Sequence, residues 1–179
     1  EPSNQAKHLR YRRPVSMESR VHRFKALQDL LAALVPNTGT VVQQEGIPIS
    51  RVSETALAGL SVLVPDSVVQ QALHIVDSKG ISCVTCEGSW RRSIYEVKGQ
   101  KSSHLVLAHG LYCSCPYFAR RVVEGGELCC KHWLAVQVAR QCGMGIATTT
   151  SKQEDEFVEW GQKHLLAGAS GVTGTGEAA

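Results

Sequence analysis

The chain has 179 residues, 43% of them hydrophobic, a formal charge of +3 and seven cysteines. That is enough apolar content for one moderate core, with no need for a second full domain. An odd cysteine count, with no apolar run long enough for a signal peptide or a membrane span, argues against a secreted disulfide framework, so the cell interior is the expected compartment.

The charge is uneven. Residues 1–25 carry seven basic groups (Lys7, Arg10, Arg12, Arg13, Arg20, Arg23, Lys25) against Glu1 and Glu18, leaving 12 basic and 14 acidic groups for the rest. A broad nucleic-acid-binding surface is therefore not evident from charge alone. Residues 1–17 read as a basic disordered arm: Pro2, Asn4, Gln5 and Pro14 give little apolar periodicity. A solvated tail is favoured over a phosphate-binding arm or an organelle transit segment. The chain starts at Glu1, and Met17 is a candidate start site that would leave the arm outside the working protein.

Residues 18–78 read as a helical region. Val21, Phe24, Leu27, Leu30, Leu31 and Leu34 recur at three and four residues, the stripe of an amphipathic docking or core helix that ends near Pro36. Residues 36–50, with Asn37, Gly39, Gly46 and Pro48, read as a loop containing a short extended piece. Ser53 caps a second helix, and Pro65–Ser67 break and restart it as a third, with Val68, Val69, Ala72, Leu73 and Val76 on its apolar face. His74 on that helix reads as a partly exposed bystander.

From Ile81 the period changes to two. Ile81, Cys83, Ile94 and Val97 alternate with polar residues around Gly88–Ser89, giving an antiparallel hairpin, and His104–His109 supplies a third strand running into Cys113. Cys83 and Cys86 have no free partner pair and no helix start behind them, so they read as strand or turn cysteines in preference to a second metal pair or a redox dithiol. Pro116 suits the first position of a short helix, PYFARRVVE, and Gly125–Gly126 turns the chain back towards Cys130. Trp133, Leu134, Ala135, Val136, Val138 and Ala139 make a helix apolar on most sides, expected between the sheet and another element, with Cys142 packed at its end. In residues 143–179, Phe157, Trp160, Leu165 and Leu166 among acidic residues mark a short amphipathic helix, and the Gly-, Ala-, Ser- and Thr-rich tail from residue 168 reads as disordered. The expected fold class is α+β: a small antiparallel sheet of about three strands packed on helices, with a Cys3His structural zinc site.

The metal motif is Cys113-x-Cys115 followed by Cys130-x-His132. Three thiolates and one imidazole are the donor set of a tetrahedral structural Zn2+ site. In extended chain, residues two apart share a face, so Cys113 and Cys115 belong on a strand end or tight turn. Within a helix the same spacing points to nearly opposite sides, so Cys130 belongs just before a helix and His132 in its first turn, where the helix N-terminus favours thiolate. Cys129 reads as a small buried residue or an exposed bystander in preference to a ligand. Lys131, with Arg120 and Arg121, is placed in sequence to offset the net charge of minus one on the loaded site.

The C-x-C…C-x-H pattern resembles that of the SWIM zinc finger family, and Ala135, three residues after His132, matches an extension found in the SWIM proteins of the Shu complex. The run CSCPYFARRVVEGGELCCKHWLAVQVA is similar to the core of that subgroup, and the resemblance spans roughly Leu27 to Cys142. Residues 79–142 then correspond to the SWIM-type module, with Ala135 in a structural role. The chain departs from the subgroup in its basic extension, in Cys129 and in Cys83-x-x-Cys86.

The resemblance implies a nuclear, non-enzymatic, zinc-stabilised adaptor in homologous recombination DNA repair. Its partner would be a RecA-like recombinase paralogue, the pair promoting or stabilising recombinase filaments on single-stranded DNA. The alternative is a direct single-stranded nucleic-acid binder, with Arg120, Arg121 and Lys131, together with Arg91 and Arg92, on phosphates and Tyr117 or Trp133 stacking on bases. A zinc enzyme is disfavoured, because all four metal positions are filled by protein and no metalloprotease or deaminase signature is present. No membrane and no small-molecule substrate are expected.

Overall fold

A computed structural model describes residues 16–34, 53–88, 92–99 and 102–169. The expected basic arm up to residue 15, the loop at 36–50, the tip of the first hairpin and the tail from residue 170 lie outside the described residues.

Three helices come first: α1 (Met17–Ala32), α2 (Glu54–Leu63) and α3 (Asp66–Asp77). Ser16 caps α1 by accepting the Ser19 N–H, and Ser53 caps α2 by accepting the Ala56 N–H at 3.2 Å. Pro65 separates α2 from α3, as the sequence predicts. The stripe on α1 holds for Leu27, Leu31 and Leu34, which are buried, but not for Val21, which is 61% exposed. The inner side of this first part of α1 is polar. Arg20 donates to the Val122 carbonyl at 2.8 Å and Arg23 to the Leu63 carbonyl at 3.3 Å, so two of the basic groups near the N-terminus serve internal contacts.

The sheet has five strands, not three: β1 (Ile81–Cys86), β2 (Ser93–Lys98), β3 (Ser103–Leu107), β4 (Tyr112–Cys113) and β5 (Ile146–Lys152), in the order β4-β3-β2-β1-β5. Nor is it purely antiparallel, because β5 pairs parallel with β1. Both additional strands escape a period-two reading for physical reasons. β4 is two residues long, and β5 (IATTTSK) has no alternation of buried and exposed side chains.

Side chains alternate across the sheet. Ile81, Cys83, Tyr95, Val97 and Val106 point into the main core with the helices, whereas Val84, Cys86 and Ile94 pack with Phe157 and Trp160 of α5 (Glu154–Ala169). Cys83 and Cys86 are thus strand cysteines on opposite faces.

A π-helix (Phe118–Glu124) follows β4, and α4 (Lys131–Cys142) follows the crossover. The expected helix after Pro116 is therefore present, in a wider winding. The α4 helix is the centre of the molecule: Trp133, Leu134, Ala135, Val136, Val138, Ala139 and Cys142 are all buried. It contacts α1 and α3 on one side and β2, β3 and β4 on the other, the sandwiched placement that its apolar sequence predicts. Two of its polar groups hold the β3–β4 connection: Trp133 Nε1 donates to the Gly110 carbonyl at 3.1 Å, and buried Gln137 donates to the Ala108 carbonyl at 2.8 Å.

After α4, Gly143 (φ 64°) ends the helix and Gly145 (φ 82°) carries the chain past α3 into β5. A Cβ at Gly145 would lie 2.7 Å from Val76 Cγ1 and 2.9 Å from the Val76 carbonyl oxygen. Gly145→Ala is therefore expected to cost about 2–4 kcal/mol, from left-handed strain plus the clash with α3. Gly126→Ala, at φ 74° but in open space, is expected to cost only about 1–2 kcal/mol. Urea unfolding of the two zinc-loaded variants measures the difference.

Candidate metal centre

Cys113 ends β4, and Cys115 follows it after Ser114, whose N–H and Oγ both pair with Leu105 of β3 at 2.9 Å. The first pair is thus held on a strand end by the neighbouring strand. Cys130 is the N-cap of α4 and His132 lies in its first turn, the arrangement that the spacing requires. The donor atoms of Cys113, Cys115, Cys130 and His132 all lie within 4.8 Å of one another. Tetrahedral zinc with bonds near 2.3 Å places its sulfur atoms about 3.8 Å apart. Cys113 Sγ and His132 Nδ1 are 3.8 Å apart. The donor set and its spacing fit Zn2+, and these four residues form a Cys3His zinc site.

The centre is closed to solvent, with the four ligands 0–4% exposed. Its thiolates are supported by main-chain donors. The Phe118 N–H points at Cys115 Sγ at 3.3 Å, and the Trp133 N–H at Cys130 Sγ at 3.5 Å. Each C-x-C or C-x-H pair therefore opens a helical turn whose first free N–H groups face sulfur.

Without metal, three thiols in contact share their protons. The Cys115 thiol is lowered well below the usual thiol range because Cys113 and then Cys130 donate hydrogen bonds to its thiolate. Cys113 is raised, chiefly by its hydrogen bond to Cys115. Cys130 is pushed up to about 12: its hydrogen bond with Cys113 lowers it, but that effect is outweighed by Cys115 and by burial. Thiols packed this closely do not ionise independently: hydrogen bonds from its neighbours favour thiolate at Cys115, and burial disfavours further charge.

Cys129 is buried, its thiol pushed up by burial, and it does not belong to the group of four. The doubled cysteine thus contributes Cys130 as ligand and Cys129 to the core. Cys142 is fully buried at the end of α4, and His74 is an exposed residue of α3. Ala135 is fully buried on α4.

The basic candidates do not converge on the ion. Arg121 is ion-paired with Glu127, at 2.6 Å from Nη2 and 2.8 Å from Nε, and Tyr117 also bonds that carboxylate. Lys131 donates to Gln71 of α3 at 2.8 Å. Arg120 is exposed on the π-helix, and Arg91 lies outside the described residues.

One neighbour had no signal in the sequence. His104 of β3 packs its ring on that of His132, centroids 4.4 Å apart, and burial lowers its pKa, so at neutral pH it covers the ligand without adding charge. Only the β3–β4 pairing brings a residue 28 positions upstream of His132 to this place.

Over 98 residues the chain is 37% identical to the human zinc finger SWIM domain-containing protein 7, an alignment that covers 52% of this chain and 68% of that protein. No protein-family profile matches the chain.

The purified protein is expected to hold one Zn2+ per chain by elemental analysis. Cys130→Ser should lose it, while Cys129→Ser keeps it. Because Cys113 and Cys130 are raised and Cys115 is lowered, loading at pH 7 should release about two thiol protons, and zinc affinity should fall as the pH falls. Calorimetric titration in two buffers of different ionisation enthalpy counts those protons.

Proposed function

Because the chain belongs to the SWIM zinc finger family, we propose that it is a nuclear, non-enzymatic adaptor of homologous recombination. In this reading it pairs with a RecA-like recombinase paralogue, and the pair promotes or stabilises recombinase filaments on single-stranded DNA. The observation that carries the adaptor reading is the closed centre. All four metal positions are filled by buried protein ligands, whereas catalytic zinc keeps a position open for water or substrate. The metal's work is then mechanical, joining the β3–β4 hairpin, the crossover and α4.

The state of the basic residues supports an adaptor over a direct nucleic-acid binder. Arg121 and Lys131 are engaged with Glu127 and Gln71, and Arg20 and Arg23 with main-chain carbonyls. These contacts compete with an external phosphate for the same groups, which leaves Arg120 as the exposed candidate. The DNA contact is accordingly assigned to the partner.

Tagged wild-type chain, co-expressed with a recombinase paralogue, should capture it and lengthen filament lifetime on single-stranded DNA. His132→Ala should lose the partner together with its fold, read by near-ultraviolet circular dichroism, since structural zinc contributes about 10–16 kcal/mol of apparent binding energy in small fingers. Arg120→Glu with Arg121→Glu should leave capture unchanged. A zinc-free variant that stayed folded and still captured the paralogue would overturn this reading, as would steep, salt-sensitive DNA binding by the chain alone that the double charge reversal abolished.

A further inference from the structure

Strand β5 ends the sheet order, so one of its two rows of main-chain N–H and C=O groups has no pairing element among the described residues. Ala147, Thr148, Thr149, Thr150 and Ser151 are all exposed, so neither the α4 layer nor α5 covers the strand on either face. Its anchors sit at its ends. Ile146 is half-buried, and Thr85 Oγ1 reaches Ser151 Oγ at 3.1 Å and the Thr150 carbonyl at 3.4 Å.

Proteins ordinarily blunt such an edge with short length, proline, a charge or a covering element. Ile146–Ser151 has no proline and no charge, and the strand is of full length at seven residues. Its threonines favour extended chain. The result is a preformed template for one more strand.

The edge also selects its occupant. From Ala147 to Ser151 it presents small, uncharged side chains, three of them threonines, which suit a β-branched neighbour, and its one charge, Lys152, stands at the C-terminal end. Just past its C-terminal end α5 opens with exposed Glu154 and Asp155, Glu154 lining a cleft with Cys86 and Arg92, while Glu156 lies 4.0 Å from Lys152. We propose that β5 is a docking edge for an extended segment of a partner protein, five or more residues of alternating β-branched type, with Lys or Arg at the end beside Glu154 and Asp155. The proposal rests on the adaptor reading for the identity of the partner. It is strand addition, in which main-chain hydrogen bonds give affinity and flanking charge gives register. A second copy suits the edge less well. Antiparallel pairing centred on Thr149 would set residues 154 and 155 of each copy opposite Met144 and Gly143 of the other, neither of which carries a charge.

The test is residue-resolved amide hydrogen exchange on the zinc-loaded full chain, with synthetic Thr-Val-Thr-Val-Thr peptides flanked at both ends by Lys-Lys or by Glu-Glu. The Lys-flanked peptide is expected to slow exchange at alternate residues of Ala147–Lys152 by about tenfold or more, and the Glu-flanked peptide to leave it unchanged. Glu154→Lys with Asp155→Lys should reverse that preference. Thr149→Lys, with zinc and circular dichroism retained, should abolish the effect. The proposal is overturned by absence of slowing up to the peptide's solubility limit, or by slowing indifferent to flanking charge. It is equally overturned by slowing without peptide that grows with protein concentration, or by the same slowing with oligodeoxythymidine in place of peptide. In the capture assay, Thr149→Lys should lose the paralogue. If it captures like wild type, the edge is not the docking site and the adaptor reading stands. If wild type captures nothing, the adaptor reading fails, and the peptide result still decides the edge.

Discussion

The structure depends on bringing three sulfur atoms and one imidazole together at the junction of a strand end and a helix start. Neither pair of ligands holds that position by itself. Cys113 and Cys115 are placed by the pairing of β4 with β3 and by the double contact between Ser114 and Leu105. Cys130 and His132 are placed by the first turn of α4. An uncompensated cluster of buried thiols is a poor place for more than one negative charge, as the raised Cys113 and Cys130 thiols beside the lowered Cys115 indicate. A divalent cation reverses that balance, and the N–H groups of Phe118 and Trp133 are already aimed at two of the sulfurs.

The constraint extends through α4 to the rest of the chain. One side of this helix reads the sheet and the other reads α1 and α3, so its orientation sets both layers. Phe24 of α1 packs on Trp133 with ring centroids 5.8 Å apart, while the indole N–H of the same tryptophan holds the Gly110 carbonyl. A residue next to a metal ligand thus joins the N-terminal helix to the β3–β4 turn. Separating an N-terminal helical region from a later zinc module is convenient on the sequence, but their buried side chains form one cluster.

Legibility followed the strength of local physics. The zinc ligands, the capping role of Ser53, the break at Pro65 and the all-round apolar character of α4 each have a short-range cause that spacing or composition expresses. β5 has none, because a strand exposed on both faces carries no hydrophobic alternation, and only its pairing with β1 defines it. His104 is hidden for a related reason: its neighbour is set by strand register, not by sequence distance. Val21 fits the helical period and still faces solvent, because period reports which residues share a face and not whether anything covers that face.

Charge shows the same limit from another direction. On the sequence, the basic residues of the crossover are the candidates of the alternative, phosphate-binding reading, and those near the N-terminus read chiefly as a solvated tail. In the fold, Arg20 and Arg23 satisfy carbonyls at the ends of the π-helix and α2, groups that a helix C-terminus otherwise leaves without partners. Arg121 and Tyr117 both bind the Glu127 carboxylate and so span the crossover between the two ligand pairs. Their positive charge is used to close the polypeptide around the metal centre, so rigidity of the crossover and availability of those arginines to an external anion are competing uses of the same groups. Arg20 and Arg23 resolve that competition in favour of the fold, since each reaches a main-chain carbonyl in a part-buried contact, whereas Arg121 holds Glu127 with 59% of its side chain still exposed.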